Sequence, residues 1–168
     1  RNNQEFLDTL KEIQPDIIIV AAFGQRVNVI GDSMSPVLKN GNVVMINHFI
    51  YNIKDPLRGD IAAFQKDGDE RYFVKRIVGL PGETVQIKDG LVYINGEALK
   101  DDKMGEVSLA GRAAEPVRLG EKEYFLLGDN RSSSEDSRFP NIGNVKREQI
   151  LGKVWFRMLP LLKLGFVS

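Results

Sequence analysis

From Arg26 onward the apolar positions fall in short runs separated by Gly, Pro, Asn and Asp: residues 27–30, 43–46, 61–64, 72–78, 85–87, 91–94, 124–127 and 154–156. Runs of this length and spacing, rich in Val, Ile, Phe and Tyr, predict a mostly β fold. Two turn dipeptides sharpen the reading. Asp89-Gly90 and Asn95-Gly96 accept the positive φ that tight hairpin turns require, so residues 85–99 are expected to form two paired strands ending in a turn. Residues 100–123 are polar, carry Gly105, Gly111, Pro116 and Gly120, and read as an excursion from the sheet. The chain returns at Tyr124-Phe125-Leu126-Leu127, and residues 146–151 have room for one or two helical turns before the last strand. The pattern divides the chain into a main domain over 26–82 and 124–168 and a small β insertion over 83–123.

Residues 1–25 follow another rule. Apolar residues at helical spacing in Glu5-Phe6-Leu7-Asp8-Thr9-Leu10-Lys11-Glu12-Ile13, with Pro15 just after, predict a short amphipathic helix followed by extended chain. Ile17-Ile18-Ile19-Val20-Ala21-Ala22-Phe23 is far shorter than the roughly 20 apolar residues that cross a bilayer, so the chain as given is not expected to span one. Glu5, Asp8 and Glu12 argue against a secretory signal. At the other end, Leu159-Pro160-Leu161-Leu162-Lys163-Leu164-Gly165-Phe166 is apolar enough to touch a bilayer surface, and core packing explains it equally well.

A chain of 168 residues can bury one core without staples. With 23 Lys+Arg against 23 Asp+Glu, no strong overall field favours nucleic acid, and none is expected as a partner. The absence of cysteine excludes disulfides, thiol chemistry and Cys-type metal sites, and leaves the redox compartment open. No metal or other cofactor is expected.

Candidate chemistry centres on Ser33, in Gly31-Asp32-Ser33-Met34-Ser35-Pro36, and Lys75, in Tyr72-Phe73-Val74-Lys75-Arg76-Ile77-Val78-Gly79. A serine hydroxyl is a weak nucleophile until a base takes its proton. The one histidine, His48, ends an apolar run and reads as a surface or hydrogen-bonded structural residue. Lysine can serve instead where burial leaves it neutral near working pH. Strand alternation puts Phe73, Lys75 and Ile77 on one face and Val74, Arg76 and Val78 on the other, so Lys75 shares its face with two large apolar neighbours.

These residues carry a resemblance to the type I signal peptidases, membrane-anchored Ser/Lys proteases that remove signal peptides from exported proteins. Four segments match in the family's order. Gly31-Asp32-Ser33-Met34-Ser35-Pro36-Val37-Leu38 resembles the nucleophile box, and Arg58-Gly59-Asp60-Ile61-Ala62-Ala63-Phe64 the structural strand after it. Residues 72–84 resemble the lysine box, and Gly128-Asp129-Asn130-Arg131-Ser132-Ser133-Ser134-Glu135-Asp136-Ser137-Arg138 the final box. The likeness runs from about Gln25 to Pro160. It implies a signal-peptidase-type β-sheet catalytic domain, Ser33 as nucleophile, Lys75 as general base and Ser134 as the hydroxyl that orients the lysine amine. Asp129, Arg76, Asp136 and Arg138 are implied as ion pairs holding that corner, with Ser132, Ser133 and Ser137 as competing hydroxyls in turn or capping roles.

A carboxylate beside Lys75 would raise its pKa, so a neutral hydroxyl is the fitting orienting partner. The Ser33 N–H is the first oxyanion donor. Some relatives place a serine two residues before the nucleophile; this chain has Gly31, as is common in the Gram-positive branch, so a backbone N–H is expected to stand in there. The implied substrate is an extended preprotein signal peptide ending in Ala-x-Ala, docked on strand edges, with Ile30, Met34, Val37 and Phe73 as candidate pocket residues, although plain β-sheet core is the first reading for each of the four. The implied location is the outer face of the cell membrane, with lipid as a partner.

The family's transmembrane anchor precedes the nucleophile box, and here residues 5–24 hold that place. The expectation is a natural start removed or replaced, or an unusual N-terminus; the similarity of residues 14–25 to a strand of formyltransferase-type α/β enzymes favours a chimera. Val20-Ala21-Ala22 reads first as a short apolar strand or anchor remnant; its similarity to a cleavage region leaves a cut before Phe23, or occupancy of a neighbour's site, as the alternative. Two rivals stand beside the main reading. One is a self-cleaving Ser/Lys repressor, though Ala110-Gly111 lies after both Ser33 and Lys75, and no basic recognition helix is apparent. The other is a signal-peptidase-like module that binds such chains without cutting.

Overall fold

In the computed structural model, residues 24–100, 102 and 104–167 are described. In chain order the elements are β1 (Gly24–Asn28), β2 (Val43–Asn47), α1 (Ile50–Ile53), β3 (Ile61–Gln65), β4 (Tyr72–Gly79), β5 (Thr84–Lys88), β6 (Leu91–Ile94), β7 (Glu97–Ala98), β8 (Val117–Arg118), β9 (Glu123–Leu127), β10 (Val145–Lys146), β11 (Ile150–Leu159) and β12 (Gly165–Phe166). They form an eight-stranded sheet in the order β1-β2-β11-β3-β4-β9-β10, with β12 paired to β11, and a four-stranded sheet in the order β7-β6-β5-β8. The mostly β class read from the pattern is the observed one.

β3 shows how the main sheet is built. Its first four residues are all buried, because both faces of the sheet are covered. Ile61 and Ala63 enter a cluster with Met34, Leu38, Val44, Ile46 and Val154. Ala62 and Phe64 enter another with Tyr51, Ile77, Leu126 and Ile150. Strand alternation therefore divides β3 between two apolar layers, and the same rule places Val74 against the first layer and Phe73 against the second. β11 runs antiparallel to β2 with register shifts between Val154 and Phe156 and between Arg157 and Leu159; such irregularities bend a strand and raise its local twist.

The second sheet packs on the first through Val85, Ile87, Val92, Val117 and Leu119 against Val78, Phe125 and Leu127. Contact is closest at Gly79, where a Cβ would lie 2.5 Å from Val85 Cγ2 and 2.8 Å from Leu119 Cδ1. Its hairpins follow the turn chemistry: Asp89 and Asn95 adopt φ of 52°, and the glycine after each is also positive.

Several sequence expectations are adjusted. β1 stops at Asn28 rather than Ile30, because the chain turns away to reach Gly31 and leaves Ile30 90% exposed. The helical stretch expected over 146–151 is a single 3₁₀ turn, Arg147–Gln149, since Ile150 already pairs with Phe64. The expected amphipathic helix at 5–13 and the cleavage-like Val20-Ala21-Ala22 lie outside the described residues.

Candidate active site

The loop that carries Ser33, the candidate nucleophile, is built from two buried anchors. Met34 and Leu38 are 1% and 0% exposed, and the Leu38 N–H donates to Met34 O at 2.8 Å, closing one turn of chain between them. Upstream, Gly31 adopts φ +85°, and its N–H donates to Asn40 Oδ1 at 3.0 Å while Asn40 N–H donates to Asp32 Oδ1 at 3.2 Å. Ser33 is left half-buried between the anchored side and the crosslinked side.

Lys75 lies opposite Ala62 across the β3–β4 pairing, and that small neighbour leaves space for its chain. It is 5% exposed, with Nζ 2.8 Å from Ser33 Oγ and donating to Val74 O at 3.2 Å. Burial is the main influence on its amine and holds its pKa below the ordinary 10.5; the negative charges of Asp136, Glu135 and Asp129 oppose this. Two of those carboxylates are neutralised locally. Arg76 Nε and Nη2 meet the two oxygens of Asp129 at 2.7 and 2.8 Å, and Arg138 Nε and Nη2 meet those of Asp136 at 2.8 and 2.9 Å. Paired in this fork geometry, their fields are partly cancelled at Lys75.

Residues 128–138 cover the pair and bind the nucleophile loop directly. Asn130 N–H donates to Ser33 O at 3.0 Å, and Asn130 Nδ2 donates to Asp32 O at 3.2 Å. Gly128 N–H donates to Asp136 Oδ2 at 3.0 Å. At Gly128 a Cβ would fall 2.1 Å from Ser134 Oγ and 2.5 Å from Ser33 O, so the final box and the nucleophile loop meet there without room for a side chain. Arg138, 1% exposed, also donates to Leu109 O, Arg131 O and Ser134 O.

Three expectations need correction. The Ser134 hydroxyl is buried at this corner but has no hydrogen-bond partner, so the orienting bond to Lys75 is not formed; the lysine amine is turned to Ser33 Oγ and Val74 O instead. The Gly31 N–H is occupied by Asn40, which removes it as an oxyanion donor. The four pocket candidates do not share one pocket: Met34 is buried in one apolar layer with Val37 against it, Phe73 packs on the other, and Ile30 stands in solvent. Phe73 stacks on Phe64 at 5.5 Å, with the Arg71 guanidinium 5.5 Å above it.

The competing hydroxyls have other work. Ser137 Oγ accepts from Leu126 N–H, and Ser132 Oγ donates to Asn130. His48 lies between Leu151 O and Gln25 Oε1, each at 3.0 Å from a ring nitrogen. Ala110-Gly111 opens a 3₁₀ turn whose Gly111 is pressed against Arg138 O, where a Cβ would lie at 2.4 Å. Asn130, Arg131 and Asp102, which pairs with Arg131, hold the site together without a role assigned from their position in the sequence. The first two sit inside a recognised box; Asp102 lies in a polar stretch that carries no local signal.

The fold and this pair define a class, a β-sheet serine hydrolase in which a buried lysine, not a histidine, is within reach of the serine. The family model described as "Signal peptidase, peptidase S26" matches residues 13–159. A probable signal peptidase I-2 of Synechocystis sp. is 35% identical over 81% of this chain and 63% of its own length. Signal peptidase I T of Bacillus subtilis is 37% identical over 77% of this chain and 71% of its own. A crystal structure of a signal peptidase I from Enterococcus faecalis V583 superposes with a TM-score of 0.50 at 34% identity, covering 61% of this chain and 98% of that one. The chain belongs to the S26 signal peptidase family, and is a serine peptidase of the signal peptidase I kind.

Proposed function

We propose that this chain cleaves signal peptides from exported preproteins after Ala-x-Ala, with Ser33 as nucleophile and Lys75 as general base. The observation that carries the reading is the 2.8 Å approach of Lys75 Nζ to Ser33 Oγ inside a site where the amine is 5% exposed. Neutral Lys75 accepts the hydroxyl proton as Ser33 Oγ attacks the scissile carbonyl. It returns that proton to the leaving amine, and then deprotonates the water that releases the acyl group. The Ser33 N–H is the oxyanion donor we assign. Ser134 Oγ, buried without a partner in the same corner, is the hydroxyl available to the amine once Ser33 has moved to the substrate.

We assign residues 26–82 and 124–168 to the catalytic domain and 83–123 to an insertion that supports it. The substrate docks as an added strand beside Ile30, whose exposed side chain lies just upstream of Ser33. No helix among the described residues is long and apolar enough to cross a membrane. We assign the chain to the outer face of the membrane on its family resemblance, and contact with lipid is supported by Leu161, Leu162, Leu164 and Phe166, which are 73%, 100%, 56% and 77% exposed along one short stretch.

The test is cleavage of an Ala-x-Ala peptide in detergent micelles by this chain and by Ser33→Ala and Lys75→Met. Each variant is expected to lose at least about 10³-fold in kcat. Turnover surviving in either variant would exclude the mechanism, and peptide binding without turnover in the parent would favour a non-cutting module.

A further inference from the structure

The final box is held from outside as well as from within. Arg131, its side chain 3% exposed, meets the carboxylate of Asp102 through both terminal nitrogens, Nη1 to Oδ2 at 2.6 Å and Nη2 to Oδ1 at 2.7 Å. Its remaining Nε donates to Gly128 O at 3.1 Å. Gly128 is the residue at which a Cβ would fall 2.1 Å from Ser134 Oγ and 2.5 Å from Ser33 O, so it sits where the final box and the Ser33 loop meet. A second tie follows a few residues on. Arg138 donates to Leu109 O at 3.0 Å and its own carbonyl accepts from Arg112 N–H at 2.9 Å. The polar stretch between β7 and β8 is therefore fastened to the catalytic loop near both of its ends.

We propose that Asp102 is a positioning residue for peptide cleavage: by holding the Arg131 fork it fixes the Gly128 carbonyl, and through Gly128 the places of Ser134 and Ser33. Asp102 touches neither the serine nor the lysine; its Oδ1 also accepts from Met104 N–H at 3.3 Å within its own stretch, so its link to the site runs through Arg131. A bidentate pair fixes direction as well as distance, which a single contact on a flexible lysine would not do. Arg131 is too buried to be indifferent to the loss, since one partner removed leaves the other charge uncompensated. The guanidinium then turns toward water and releases Gly128 O. Displacement of about 1 Å at the site is enough to cost on the order of 10²-fold in rate.

This inference rests on the Ser33–Lys75 reading, and the experiment separates the two. Steady-state cleavage of an Ala-x-Ala peptide is measured for the full chain and for Asp102→Ala, Asp102→Glu, the double variant Asp102→Leu/Arg131→Met, and Lys75→Met. Asp102→Ala is expected to lose roughly 10²-fold in kcat with KM within about threefold, and Asp102→Glu, which keeps the fork, to recover most of it. The double variant replaces the pair by apolar side chains and so keeps its melting temperature, yet kcat stays low because Gly128 O has lost its donor.

The acid limb of the pH profile supplies a further readout. A loosened loop admits water to Lys75, weakens the burial that lowers its pKa, and moves the limb to higher pH. Asp136 with Arg138, Asp129 with Arg76, and Glu135 surround the amine and are unchanged in every Asp102 variant, so the displacement reports position. Wild-type kcat in either Asp102→Ala or the double variant, with Lys75→Met inactive, overturns this inference alone. Lys75→Met cutting as fast as the parent overturns both.

Discussion

At Gly128 a methyl group would sit 2.1 Å from Ser134 Oγ, 2.4 Å from Ser134 Cβ and 2.5 Å from Ser33 O, and two of those contacts cannot be relieved by turning a side chain. Gly128→Ala must push the final box away from the nucleophile loop. We expect it to cost about 1–3 kcal/mol in stability and roughly 10²-fold in kcat, measured by thermal melting and peptide cleavage. Wild-type kcat in a folded variant would show that the two loops need not touch. At this scale the sequence is readable where chemistry restricts residue type. A strand lysine among Phe73, Val74, Ile77 and Val78 is by itself most often a solvated surface residue, and Lys75 is picked out only by the ordered boxes it shares with Ser33. Hydrogen-bond direction is not readable. Nothing in the letters says that Asn40 takes the Gly31 N–H, that Ser134 Oγ is unpartnered, or that Met34 points into the core while its neighbour faces Lys75.

Elements are legible where local rules decide them. The Asp89-Gly90 and Asn95-Gly96 turns require positive φ and take it, and β2, β3, β4 and β9 follow their apolar runs within a residue or so. The two-residue strands β7, β8, β10 and β12 are fixed by their partners, not by their own composition, so no run announces them. β11 is longer than its apolar run because pairing with both β2 and β3 stabilises polar positions such as Lys153, whose Nζ meets Asp60 at 2.6 Å. In sequence the stretch after β11 is compatible with core packing or with membrane contact, and in the structure Leu161, Leu162, Leu164 and Phe166 are exposed. Leu161 and Leu162 are largely exposed, and Phe166, also exposed, leans on Trp155 and Phe156 at ring-centroid distances of 5.7 and 5.5 Å. Replacing all three by Ser is expected to weaken partition onto phospholipid vesicles by roughly tenfold per residue while leaving cleavage of a soluble peptide unchanged. Unchanged vesicle binding in a sedimentation assay would assign that ridge another role.

The whole molecule does what no single element can, which is to bury a lysine without giving it a carboxylate in direct contact. β3 and β9 flank β4, the nucleophile loop lies over Lys75, and the Asp129 and Asp136 charges are taken up by Arg76 and Arg138. The sign of the consequence is fixed. Unfolded, this lysine keeps its proton up to about 10.5; folded, burial makes it release the proton earlier. Between the lowered value and 10.5 the unfolded chain binds more protons, so folding stability rises with pH across that window. Under the proposed role of neutral Lys75 as the base, activity falls as pH drops through the lowered value. The most direct test is a titration of Lys75 by NMR of lysine-labelled protein, assigned with Lys75→Met, beside the pH dependence of kcat/KM. The account predicts that Lys75 titrates below 10.5 and that its midpoint coincides with the acid limb of kcat/KM. A Lys75 that titrates at its ordinary value while the enzyme works at neutral pH would contradict it.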